Sequence, residues 1–263
     1  MNALLRGQLE TIQLWIREPS WQRILGCVLL IIIGCGLYGF TLGLWRSPVM
    51  GLYVGIKLPL LIFFTLICNG LLNGLLGILL GSRLGMRQSI LALLMSFSIL
   101  SLILGSLSPV CVFFLYNLPS PNSEFSQIAH SSYLLFHTSL IAYTGVSATV
   151  SLYRFLRSYC PNQHIARLTL ISWVAGNGFL GAQFSWILRP FFGSPDLAVA
   201  FLREDPLNGT FYGAVVRSGS SILSTLQPHE QAILGVALGS IFLIILTKIT
   251  YERTHPTQNN STI

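Results

Sequence analysis

Apolar residues in this chain are gathered into long blocks rather than alternating with polar ones. Six blocks stand out, at residues 24–45, 52–80, 89–116, 131–153, 168–188 and 232–247. A run of about 18 or more apolar residues marks a membrane-crossing helix, because about 20 residues rising 1.5 Å each cross the hydrocarbon core. The pattern predicts an all-α fold: a polytopic transmembrane helix bundle of about six spans. The second and third blocks exceed what a bilayer needs, so tilt, kinking or an interfacial start is expected. Pro59 and Pro109 are the predicted kink points. Ahead of the first block, Leu4, Leu5, Leu9, Ile12, Trp15 and Ile16 recur at helical spacing among charges and glutamines. That reads as an amphipathic helix lying in the membrane surface or packed on the bundle. Three sections follow: an amphipathic N-terminal segment 1–22, a transmembrane bundle 23–249 and a polar tail 250–263.

Composition agrees with the block pattern. Charged residues make up 9% of the chain and hydrophobic ones 52%, with a mean hydropathy of +0.69. A soluble domain carries about 25% charged residues. The net charge of +7 does not imply nucleic acid, because the basic residues flank apolar blocks, where they set orientation and meet anionic head groups. The lipid bilayer is the expected partner, together with a membrane-protein partner or a second copy. Lysine and arginine counts in the connections give ten on one side and five on the other for six spans. The third connection, 117–130, has none. The positive-inside rule then puts both termini in the cytoplasm, and the reading is a multi-pass protein of a bacterial inner membrane. The five cysteines are scattered and odd in number, which suggests neither a disulfide framework nor a zinc site. Arg6, Glu10, Arg17 and Glu18 precede the first block, so entry through an uncut first span is expected.

One connection is long, 189–231, and it is expected on the outer side. Loops of this length usually carry function or cover a surface. Residues 195–202 and 211–226 are apolar enough for short interfacial or re-entrant helices, with a turn at 205–209 between them. Arg189 closes the fifth block against the orientation trend. It is read as a loop anchor, with Asp196, Glu204 or Asp205 as its expected partner.

The candidate chemistry is sparse. Gly70, Gly74, Gly77 and Gly81 recur at steps of four, three and four, a glycine face for close helix packing, with Gly39 and Gly43 repeating the theme on the first block. Asn69 and Asn73 stand beside them. An amide in hydrocarbon must find a partner, and Asn177 on the fifth block is the expected one, with Gln183 extending the polar side of that block. These four form a candidate polar packing or pore site. His130 and His137 are seven apart, too few for a metal site without a third ligand. The block serines lack a neighbouring acid or base to activate them. No Asp or Glu falls within a predicted span, which weakens an ion-driven pump. No catalytic residue, cofactor or metal is expected.

Residues 57–61 read Lys-Leu-Pro-Leu-Leu, 73–81 read Asn-Gly-Leu-Leu-Gly-Ile-Leu-Leu-Gly, and 85–92 read Gly-Met-Arg-Gln-Ser-Ile-Leu-Ala. This stretch, about residues 50–115, resembles the Yip1 family of multi-span membrane proteins. There an apolar helix ends in a glycine-containing turn, and a basic-polar connector opens the next. The acidic and tyrosine motifs of the eukaryotic members are absent. The resemblance implies little about function; the glycine-packed helices, the lack of a carboxylate within a span and the lack of a catalytic set point to a non-enzymatic membrane scaffold or organising protein. The alternative is a small-solute channel or permease with a polar path through Asn69, Asn73 and Asn177.

Overall fold

The computed structural model describes Trp15 and residues 20–193, 198–213, 216 and 227. The chain divides into two units, Met1–Thr210 and Phe211–Ile263. In the first, five long helices follow one another: α1 (Trp21–Leu44), α2 (Pro48–Leu79), α3 (Met86–Tyr116), α4 (Ser126–Tyr159) and α5 (Gln163–Ile187). In the second, residues 211–213 and Val216 are helical. No strand occurs among the described residues. The sixth apolar block, the polar tail and nearly all of the N-terminal segment lie outside the described residues.

Each helix begins several residues before its apolar block, and in α2, α3 and α5 polar side chains cap the extension. Ser47 accepts a hydrogen bond from the Met50 amide at 3.1 Å, and Pro48 takes the first helical position of α2. The Gln88 side chain reaches back to the Gly85 amide (3.0 Å) at the start of α3. Asn162 caps α5 through the Ile165 amide (2.9 Å). Trp21 and Gln22, expected at the end of the N-terminal segment, form the first turn of α1. Helices α2 and α3 continue through Pro59 and Pro109 without a break.

Three helices, α1, α2 and α3, are long and apolar enough to cross a membrane. Their outward faces are apolar as well. Leu25, Leu29, Ile33 and Leu37, spaced four apart along α1, are all exposed. Ile67, Leu71, Leu75 and Ile78, at steps of four, four and three on α2, are exposed too. Such continuous apolar stripes are rare on water-soluble surfaces and suit contact with lipid. Helix α4 is more polar, but several of its hydroxyls are satisfied within the helix: Ser139, Ser147 and Ser151 donate to the carbonyls of Leu135, Tyr143 and Ser147.

Helices α2, α3, α4 and α5 contact one another in a ring, and α1 lies against both α2 and α3. The closest approaches belong to α1. A Cβ on Gly39 would stand 2.6 Å from the Val54 carbonyl oxygen, and one on Gly34 would collide with the Ser101 carbonyl of α3. Gly105 of α3 meets Gly34 in turn: a Cβ on it would stand 2.8 Å from the Gly34 Cα. Gly70 and Gly74 of α2 face Ile90 and Met86 of α3, and Gly77 faces Trp173 of α5. Gly81 is not part of this face. It lies past the end of α2 with φ +76°, where its amide bonds to Ile78 and the next amide, Ser82, to Gly77. That is a Schellman stop, a turn that favours glycine because of its left-handed backbone.

Candidate functional site

The antiparallel seam between α2 and α5 gathers the asparagines. Asn69 Nδ2 donates to Asn177 Oδ1 at 2.6 Å, and Asn73 Nδ2 approaches the same oxygen at 3.5 Å. Asn69 and Asn73 are 1% and 0% exposed. Gly176 makes the contact possible, since a Cβ there would stand 2.9 Å from Asn69 Oδ1. The seam continues on both sides. Thr65 lies beside Gly181 and returns its hydroxyl to the Leu61 carbonyl (2.8 Å). Trp173, fully buried, lies over Gly77. Gln183, six residues further along α5 than Asn177, has contacts of its own. Asn73 Oδ1 and Trp173 Nε1 are buried without a hydrogen-bond partner among the described residues. The three amides are neutral and neither titrate nor attack. What they can do is donate and accept hydrogen bonds between two helices.

The far end of α5 is tied to the long connection. The Arg189 guanidinium lies over the Trp186 ring, 3.9 Å from its centroid. It donates to the carbonyls of Trp186 (2.6 Å), Pro206 (3.4 Å) and Asp205 (3.5 Å). Trp186 Nε1 donates to the Asn208 carbonyl at 3.1 Å. The expected carboxylate partner is thus replaced by main-chain carbonyls, which a planar guanidinium can reach several at a time; Asp196 lies outside the described residues. Residues 198–202, expected as part of a short helix, are irregular. The turn at 205–209 is present, closed by the Asn208 amide on the Asp205 carbonyl (3.2 Å).

Two further polar centres lay beyond the reach of the sequence reading. Lys57 of α2 is 0% exposed. Its ammonium donates to the Pro190 carbonyl (2.9 Å) and lies 5.0 Å from the Phe201 ring centroid and 5.9 Å from that of Phe191. The connection after α5 therefore folds back over α2 and covers this cation with a carbonyl and two π faces. In α1, the Tyr38 hydroxyl and His137 Nδ1 of α4 are 2.8 Å apart, and the Tyr133 hydroxyl donates to the Thr41 carbonyl at 2.6 Å. Both pairs join residues about ninety or more positions apart, and only the polar atoms in otherwise apolar blocks hinted at them. His130 lies against Trp45, with centroids 5.6 Å apart, so the two histidines serve different neighbours.

Charge separates the two ends of the helices. Arg23, Arg83, Arg87, Arg154, Arg157 and Arg167 cluster at the end holding the α2–α3 and α4–α5 turns, with no acid among the described residues there. Glu124, Glu204 and Asp205 stand at the other end with Arg46, Arg189 and Arg203. No family model, curated protein or solved structure matches the chain.

Proposed function

We propose that this chain is a multi-pass membrane scaffold, a non-enzymatic bundle in the manner of the Yip1 family, that organises partners or lipids around it. The observation that carries the reading is the buried amide contact, Asn69 to Asn177 at 2.6 Å, on the α2–α5 seam. A polar path for solutes would need those amides to face an open channel. They face each other instead, with Asn69 and Asn73 closed off from solvent. The glycine contacts between α1, α2 and α3 support the same reading, because close backbone approach holds helices together in lipid. The five helices carry no Asp or Glu to couple transport to an ion.

The test is flux. Purified full-length protein in liposomes is expected to leave the leak of small neutral solutes and monovalent ions at the level of protein-free vesicles. Saturable uptake that falls on Asn69→Leu would reject the scaffold and restore the permease. The orientation proposed, with the arginine-rich end and both termini cytoplasmic, belongs to the same reading.

A further inference from the structure

At the arginine-rich end, α1 and α3 do not close against each other. A groove of about 500 Å³ opens between them, with Trp21 and Ile24 on one wall and Met86, Arg87, Ile90 and Leu94 on the other. Its walls are chiefly apolar. At its mouth Arg87 is exposed and has no hydrogen-bond or ionic partner among the described residues. Trp21, one turn from Ile24, is 85% exposed. Indole at the edge of an apolar surface is the usual companion of lipid head groups. The charges at this end among the described residues are all cationic, which suits an anionic head group.

We infer that this groove is a binding site for an anionic phospholipid. An acyl chain lies along Ile24, Ile90 and Leu94, and the phosphate meets the Arg87 guanidinium at the mouth. Arginine suits this role because its planar fork matches phosphate geometry. A neutral lipid would fill the apolar walls equally well but would leave Arg87 without an added counter-charge. The inference rests on membrane residence and not on the scaffold reading.

The experiment uses full-length protein in phosphatidylcholine vesicles doped with lipid brominated on its acyl chains. Bromine quenches nearby indole, and the difference between the native chain and Trp21→Phe isolates the Trp21 signal. Brominated phosphatidylglycerol is expected to quench Trp21 at about five-fold lower mole fraction than brominated phosphatidylcholine, the factor for one cation against an anionic lipid surface. Arg87→Gln, an exposed change that leaves packing intact, is expected to remove that preference. Arg154→Gln, at the same end but outside the groove, is expected to keep it. Equal quenching by the two lipids in the native protein would overturn the proposal. So would equal loss in both variants, which would mean diffuse surface charge. Millimolar glycerol phosphate is expected to leave the preference intact. If it erased the preference, the site would hold a free phosphate and the lipid assignment would fall. Each outcome is separate from the flux test, which reads the scaffold proposal.

Discussion

Asn69 and Asn73 are both buried amides on the same helix, one turn apart, yet they are unequal. Asn69 has a short bond to Asn177, whereas Asn73 has only the 3.5 Å approach and a buried carbonyl oxygen without a partner. Interhelical hydrogen bonds in membranes are worth about 1 kcal/mol each, and an unsatisfied buried polar atom offsets such a gain. Asn69→Ala is therefore expected to destabilise the protein by roughly 1 kcal/mol. Asn73→Leu, which removes an orphaned oxygen, should cost less or add stability. Thermal unfolding of the two variants in detergent decides this, and a larger loss for Asn73→Leu would refute the assignment. The pairing of Asn69 with Asn177 was legible in the sequence because an amide in hydrocarbon must find a partner. The inequality was not, because it depends on where each oxygen points.

At the scale of an element, glycines divide into those that admit a neighbour and those that do not. A Cβ on Gly39 would press on the Val54 carbonyl, whereas one on Gly145 or Gly178 would meet nothing within 4 Å. Gly39→Ala is expected to push α1 and α2 apart and cost about 1–3 kcal/mol, as overpacking does. Gly145→Ala and Gly178→Ala should be neutral or stabilise by up to about 1 kcal/mol, since alanine favours a helix interior over glycine. Unfolding midpoints of the three variants test the contrast, and equal losses would contradict the packing described. Blocks of apolar residues located all five helices in the sequence. Their ends were hidden; in α2, α3 and α5, capping by Ser47, Gln88 and Asn162 extends the helix into polar sequence that a hydropathy window passes over. Gly81 was placed on the glycine face because its spacing continues the series, but the helix stops before it in a left-handed turn. The prominence of Gly34 and Gly105 was equally hidden, since two glycines on different helices show no shared spacing.

Across the whole molecule, the connection after α5 and the charge at the two ends bear on how the chain meets the membrane. Lys57 is held under that connection by the Pro190 carbonyl and two phenyl rings, and Arg189 fastens the stretch that follows to Trp186. Residues 198–210 should therefore resist proteolysis as a unit. Arg189→Ala removes a π contact and three carbonyl contacts at once, so it is expected to speed limited cleavage there several-fold while leaving the helices intact. The end that carries this connection is also the one with Glu124 and the α3–α4 turn. If the arginine-rich end is cytoplasmic, as proposed from the positive-inside bias, the two ends must label oppositely. Asn122→Cys, exposed in the α3–α4 turn, is expected to react with a membrane-impermeant maleimide in intact cells. His164→Cys, exposed in the first turn of α5, is expected to react only after the membrane is opened, each measured over the native-cysteine background. The reverse pattern would invert the orientation and put the Arg87 groove on the outer leaflet. Labelling of both sites in intact cells would mean that α4, the most polar of the five helices, does not cross the bilayer.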